Sequence, residues 1–274
     1  MTILKETRTL NNETNIPIIG FGTWQIPNGK DAYDATATAL KNGYVHIDTA
    51  LVYGNEESVG KAIADSATKR EDIYLTTKLP AEIKTYEGAL EAFETSIANL
   101  GVEYVDLYLI HAPWPWGERG SDHTEGNIAA WKALEEIYAS GRAKAIGVSN
   151  FEVKDIQAIL DNGTVVPAVN QIKFHIGFTE EDIVAFCNEK GILIEAYSPL
   201  ASGAILSDAK VKAVADKYNK TVAQISLRYT IQRGTVTLPK STHEEYIIQN
   251  ADIEFVIDDE DMKYLDSLNG SVDS

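Results

Sequence analysis

The stretch Gly43 to Glu56, GYVHIDTALVYGNE, carries reactive side chains in an ordered arrangement. Val45 and Ile47 alternate with His46, and the apolar run stops at Asp48-Thr49 ahead of Tyr53-Gly54-Asn55. A short apolar run closed by polar and turn residues predicts a strand emptying into a loop. Asp48 then stands at a strand's carboxyl end and Tyr53 on the loop beyond, where α/β enzymes keep their chemistry. Lys78 and His111 close the next two apolar runs, Ile73–Lys78 and Val105–His111. Singly, each has an ordinary role: helix cap, loop aromatic, solvated charge, core histidine. Together they form a general-acid set for a carbonyl that takes up a hydride. A phenol of pKa ~10 is a poor donor near neutrality, and lowering it by ~3 units needs about 4 kcal/mol. One ammonium at ~4 Å supplies about that much at an effective dielectric constant of ~20. A carboxylate holds the lysine in place, and a histidine orients the substrate oxygen.

The elements that must bring these groups together are legible as a repeating pattern. Apolar runs at Ile18–Gly20, His46–Asp48, Ile73–Lys78, Val105–His111, Ala145–Ser149, Ala168–Gln171, Leu193–Ser198 and Val236–Leu238 alternate with helical patterns. The clearest helix is Thr85–Leu100, with Leu90, Phe93, Ile97 and Leu100 three or four apart and Gly101 as its stop. Another begins at Thr179, with Asp182 in a capping-box position, and stops at Gly191; Gly43, Gly141 and Gly234 also follow helical patterns. Eight strand–helix rounds in one chain predict a parallel sheet closed as a (β/α)8 TIM barrel, a single domain over residues 1–274. Residues 5–18 predict a β-hairpin that caps the barrel. The polar strand ends Asp48, Lys78, His111, Ser149, Gln171, Ser198 and Lys240 lie 22 to 42 residues apart, about one unit each. A barrel gathers all of them at one mouth.

Composition narrows the partners. The 41 acidic and 24 basic residues give a net charge of -17, which repels polyanions and argues against nucleic acid and anionic membrane surfaces as partners. Cys187 is the sole cysteine and falls on the apolar face of TEEDIVAFCNEKG with Ile183 and Phe186, a packing position rather than a nucleophile. No apolar run has the length of a signal peptide or a membrane span, so a cytoplasmic protein is expected. His46, His123, His175 and His243 show no ligand spacing, and no metal is expected. His46 is expected to pack or to face a helix. Trp131 is expected in the core.

A hydride needs a source. Gly20 and Gly22 lack the third glycine of a dinucleotide fingerprint, and no P-loop pattern occurs. A cofactor must then lie in the barrel mouth, where Ser149, Asn150, Gln171, Tyr197, Ser198 and Lys240-Ser241-Thr242 offer polar contacts. Barrels commonly hold phosphate near strands seven and eight.

The motifs IDTALVYGNE, TTKLP, GVSNF, NQI, AYSPL and LPKST together resemble the aldo-keto reductase family over nearly the whole chain. The resemblance implies reduction of aldehydes or ketones, with Tyr53 as proton donor, Lys78 and Asp48 tuning it, and His111 orienting the carbonyl. It also implies that Ser149, Asn150 and Gln171 hold a nicotinamide carboxamide and that the Tyr197 ring stacks on the nicotinamide. Ser198, Leu200 and Ser202 would line the pyrophosphate path, Lys240, Ser241 and Thr242 meet the 2′-phosphate of NADPH, and Asn250 meet the adenine. Trp24 matches a substrate-pocket tryptophan, and Trp114 is expected beside it, with Trp116 as the competing choice. Tyr246 stands where the family commonly has a phosphate-clamping arginine, so NADPH is expected with NADH as an alternative. A short C-terminal tail implies an open pocket, and a monomer is expected. The alternative is a cofactor-binding regulatory or redox-sensing subunit with little turnover.

Overall fold

A computed structural model describes residues 3–270. The chain opens with a hairpin of β1 (Thr7–Thr9) and β2 (Asn15–Pro17), paired antiparallel. Eight parallel strands follow: β3 (Phe21–Gly22), β4 (His46–Asp48), β5 (Tyr74–Leu79), β6 (Val105–Ile110), β7 (Ala143–Ser149), β8 (Val169–Lys173), β9 (Leu193–Tyr197) and β10 (Val236–Leu238). Each strand pairs with its neighbour in chain order. The ring closes where Ile19 bridges Thr237: Gly20 N donates to the Thr237 carbonyl at 2.9 Å, and Gly22 N to that of Pro239 at 3.0 Å. The expected first strand, Ile18–Gly20, is therefore the segment that pairs with β10, while Phe21–Gly22 pairs with β4.

Helices α1 (Lys30–Lys41), α2 (Glu56–Ala64), α3 (Tyr86–Leu100), α4 (Thr124–Ala139), α5 (Val153–Asn162), α6 (Glu181–Glu189), α7 (Ala209–Lys217), α8 (Val222–Gln232), α9 (Glu244–Ala251) and α10 (Asp259–Asp266) flank the strands. The α3 helix forms where its pattern predicts. Thr85 Oγ1 accepts from Gly88 N, a cap worth about 1 kcal/mol, and Gly101 ends the helix in the left-handed region at φ 64°. Ala89, Phe93, Ile97 and Leu100 bury its inner face. The α6 capping box does not form: Glu180, with φ 44°, is the cap residue and makes no side-chain cap bond.

Alternation along each strand decides what enters the barrel. On β5, Tyr74, Thr76 and Lys78 share the inner face; on β9, Leu193, Glu195 and Tyr197 do. An apolar plug of Tyr74, Leu107, Leu109, Ala145, Val169, Val236 and Leu193 fills the end near the strand N-termini. Leu10 and Ile16 of the hairpin join that plug, and Asn11 and Asn12 donate to the carbonyls of Pro167 and Lys144. The hairpin thus seals the end opposite the polar strand ends. No described helix is long and apolar enough to cross a membrane.

Candidate active site

The strand ends open into a cavity of about 910 Å³. Asp48, Tyr53, His111, Ser149, Asn150, Gln171, Tyr197, Ser198, Leu200, Ser202 and Lys240 all line it, as do Trp24 and Trp116. Lys78 stands just beneath, fully buried. Its ammonium donates to Asp48 Oδ1 at 2.7 Å, to the Thr49 carbonyl at 2.9 Å and to the Tyr53 hydroxyl at 3.3 Å. All three ammonium protons are committed, so the group has one orientation. His111 Nε2 lies 3.5 Å from the Tyr53 hydroxyl, with the rings edge to face. The four groups that the sequence spreads over 64 residues share one point because β4, β5 and β6 are neighbours in the ring.

The electrostatics differ from the sequence-based estimate in one respect. Burial pushes the Tyr53 phenol up to about 12, and Lys78 offsets only part of that rise, with Asp48 acting against it. The phenol therefore keeps its proton at neutral pH. A phenol in that range can still protonate an alkoxide, which is about as basic as hydroxide, whose conjugate acid has a pKa of ~15.7. Lys78 is held above its ordinary value by Asp48 and Tyr53 against the opposing effect of burial, and so stays cationic. Burial and the Lys78 charge hold His111 well below the usual imidazole range, so its ring is neutral and can offer a single N–H.

The residues expected to hold a carboxamide form a network of their own. Asn150, at φ 60°, donates to the His111 carbonyl at 2.9 Å and to Ser149 Oγ at 3.1 Å, and accepts from the Tyr197 hydroxyl at 2.7 Å. Its amide is committed to positioning these neighbours. Gln171 Nε2 donates to Asp48 Oδ2 at 2.9 Å and to Glu195 Oε2 at 2.6 Å. Both amide protons point inward, which leaves Gln171 Oε1 as the acceptor for the cavity. Beyond β9, Ser198, Ala201, Ser202 and Gly203 all have positive φ. Such strained backbone gathers at ligand-clamping loops, and turn backbone with converging successive N–H groups makes an anion-binding concavity. Lys173 and Lys240 add positive charge to the lining, against the chain's overall -17. An acceptor amide, an aromatic ring, an irregular backbone loop and a terminal cation fit an extended dinucleotide.

Some expected residues stand elsewhere. Trp114 is 8% exposed and lies edge-on behind Trp116, ring centroids 5.4 Å apart, in a small cluster with Ala81 and Ala112. Trp116 is the cavity-wall residue, 43% exposed and edge-on to His111 at 5.3 Å. Two residues of loop reverse the inward and outward faces, which periodicity cannot resolve outside a strand. Ser241, Thr242 and Asn250 do not line the cavity; Ser241 Oγ accepts from His243 N, and Asn250 is buried in α9. Tyr246 is 49% exposed and lies edge-on to His243. His46 packs, the first of its two expected roles, edge-on to Tyr74. It is buried inside the barrel on the same face as Asp48, a placement their i, i+2 spacing could have signalled.

Other contributors carried no sequence signal strong enough to single them out. Val52, Leu206 and Lys173 line the cavity. Lys84 donates to the Ala112 carbonyl and to Asn127 Oδ1, both at 2.7 Å, and Asn127 donates to the Pro113 carbonyl at 2.9 Å. This pair pins the loop that carries Trp116. Burial draws the Lys84 ammonium down to about 8.

The aldo/keto reductase family model matches residues 18–270. The chain belongs to the aldo/keto reductase family. It is 42% identical over 269 residues to a protein named glyoxal reductase from Bacillus subtilis (strain 168), covering 98% of this chain and 94% of that one. It is 39% identical over 289 residues to aldehyde reductase YPR1 of Saccharomyces cerevisiae, covering 96% and 90%. Among solved structures it resembles MGS-M4, an aldo-keto reductase from a deep-sea metagenome library. The TM-score is 0.91 at 42% identity, with 97% of this chain and 96% of that one covered. The aldo/keto reductase from Brucella melitensis gives a TM-score of 0.90 at 42% identity, covering 96% and 99%. Aldo-keto reductases are oxidoreductases that act on carbonyl compounds with NAD(P)H, and the barrel described here is the family's fold.

Proposed function

We propose that this chain reduces small aldehydes and ketones to alcohols, with Tyr53 as the proton donor and NADPH as the reductant. The observation that carries the proposal is the Tyr53 hydroxyl, held between the Lys78 ammonium at 3.3 Å and His111 Nε2 at 3.5 Å on the cavity wall. A substrate oxygen placed against that hydroxyl meets two donors, the phenol and the imidazole N–H. As negative charge builds on the oxygen, the phenol gives up its proton and Lys78 stabilises the phenolate left behind. Asp48 keeps Lys78 aimed at Tyr53 and bars it from drifting toward the substrate. Reduced nicotinamide, when bound, supplies the hydride. Gln171 Oε1 and the Tyr197 ring would hold its carboxamide and face, and Ser198, Leu200 and Ser202 would line its diphosphate.

Lys240 at the cavity edge supports NADPH over NADH. Ser241 and Thr242 stand beyond it toward the start of α9, where Glu244 and Glu245 weaken the attraction for a 2′-phosphate. The relatives' names, glyoxal reductase and aldehyde reductase, support small aldehydes and dicarbonyls as substrates. The apolar rim of Trp24, Val52, Trp116 and Leu206 leaves room for aromatic aldehydes as well. The chain is proposed to work as a monomer in the cytoplasm.

The test mixes protein, NADPH or NADH, and a panel of aldehydes, and follows the loss of reduced-nicotinamide absorbance. Tyr53→Phe is expected to lower turnover by ~10²–10⁴-fold, the usual contribution of a general acid, while cofactor still quenches tryptophan fluorescence. Full turnover in Tyr53→Phe would refute the assignment. Tight cofactor binding without turnover on any carbonyl would favour a redox-sensing subunit instead.

A further inference from the structure

A second buried acid lies one inward-facing position below the cavity on β9. Glu195 is fully buried, and its Oε2 accepts from Gln171 Nε2 at 2.6 Å. The same nitrogen donates to Asp48 Oδ2 at 2.9 Å. Glu195 Oε1 has no hydrogen-bond partner and lies 3.5 Å from His46 Nε2. His46 Nδ1 lies 3.3 Å from the Pro17 carbonyl. A carbonyl can only accept, so Nδ1 carries the ring hydrogen and Nε2 accepts from the Thr76 hydroxyl at 3.3 Å, with Glu195 Oε1 beside it. Burial pushes the Glu195 carboxyl up to about 8, with Asp48 adding to the rise, and draws His46 down to about 4. At neutral pH both are uncharged, and because Oε2 accepts from Gln171 the acid proton belongs on Oε1, beside the imidazole.

This arrangement decides how Gln171 presents itself. Reversing its amide would aim a carbonyl oxygen at the Asp48 carboxylate and at Glu195 Oε2. With both acceptors in place the amide has one orientation: nitrogen inward, oxygen toward the cavity. We propose that Glu195, backed by His46, is a positioning residue for carbonyl reduction, fixing the Gln171 amide and through it the Asp48 carboxylate that holds Lys78. The inference rests on the reductase reading given above and adds a residue to it that touches neither substrate nor cofactor.

The titratable groups facing Glu195 are His46 and Asp48 from β4 and Tyr74 and Lys78 from β5. From β8 it meets the Gln171 amide, and its register partner on β10 is Val236. Tyr74 stays protonated, its phenol held far above the ordinary value by burial. When alkaline pH removes the Glu195 proton, two carboxylates share one Gln171 amide and one Lys78 ammonium. The field at Tyr53 becomes more negative, the phenol becomes a weaker acid, and reduction slows.

The experiment compares the parent with Glu195→Gln and Glu195→Leu from about pH 6 to about pH 10, measuring kcat with one aldehyde and the NADPH Kd by tryptophan fluorescence. In Glu195→Gln the side-chain carbonyl still accepts from Gln171 and the new amide N–H faces His46 Nε2. Leucine leaves a Gln171 N–H buried and unpaired, so Glu195→Leu is expected to lose roughly tenfold in kcat and to weaken NADPH binding. Glu195→Gln is expected to recover most of that loss and to shift the parent's alkaline decline upward by about one unit or more. An alkaline decline identical in the parent and Glu195→Gln would overturn the proposal, because a packing role predicts no such shift. A parent that reduces no carbonyl would instead refute the reductase reading. The NADPH Kd would then still decide this inference: equal values in the parent and Glu195→Leu would overturn it, and weaker binding in Glu195→Leu would uphold the Gln171 orientation.

Discussion

Replacing Asp48 with Asn removes one charge from a fully buried ion pair while keeping the side chain's shape. Lys78 Nζ and Asp48 Oδ1 are 2.7 Å apart. At that separation and an effective dielectric constant of ~20 their attraction is about 6 kcal/mol. Removing one partner of a buried pair costs ~3–5 kcal/mol, because the remaining charge is left without compensation. At ~2–4 °C per kcal/mol for a chain of this size, Asp48→Asn should melt about 10 °C below the parent. The pH dependence gives a sharper check. In the parent, Asp48 and Tyr53 raise the Lys78 pKa, and the stability they confer is lost only as pH rises through that raised value. In the variant the dominant remaining influence is burial, which lowers it, so the cost is greatest at low pH and fades as Lys78 sheds its proton. The melting deficit should therefore shrink as pH rises from about 6 to about 10. Turnover should fall over the same range, because the phenolate loses its neighbouring ammonium. Thermal denaturation at several pH values, alongside the nicotinamide absorbance assay, measures both. A deficit under about 2 °C that does not vary with pH would refute the reasoning, since it would mean that Asp48 does not balance a buried charge.

Trp116→Ala should leave the melting temperature nearly unchanged and raise KM for aromatic aldehydes severalfold. Trp114→Ala, which empties a buried site, should cost ~3–5 kcal/mol in a denaturant titration; the reverse order would show that the two rings have been misassigned. Gly60→Ala should destabilise by more than ~1–3 kcal/mol, because a Cβ there would lie 2.1 Å from the Leu100 carbonyl oxygen at the end of α3. An unchanged denaturation midpoint would mean that α2 can back away at no cost. Cys187 is fully buried, and burial pushes its thiol up to about 11. It should resist a thiol-reactive disulfide reagent at about pH 8 until the protein unfolds, since little thiolate forms; rapid labelling of native protein would contradict that placement.

The strands and their order were legible in the sequence because an apolar run and its polar stop are local patterns. His46–Asp48 and Val236–Leu238 match the observed strands end to end. Gly43, Gly101, Gly141, Gly191 and Gly234 all adopt the positive φ that helix stops predict. The motifs around Asp48, Tyr53, Lys78 and His111 pointed to a carbonyl reductase, and the family match agrees. What the sequence could not carry was burial, which depends on every neighbour at once. The Tyr53 phenol was expected to become more acidic beside Lys78, yet desolvation at the cavity wall outweighs the ammonium and raises it. Glu195 passed unnoticed as one charge in an apolar run, because only barrel closure brings β9 across from β4 and β5. The choice between Trp114 and Trp116 depended on the path of a loop anchored by Lys84 and Asn127, for which no side-chain periodicity exists. Residue order therefore determined which groups reach the mouth of the barrel. The closed ring alone decided which of them lose water, and hence which carry a proton.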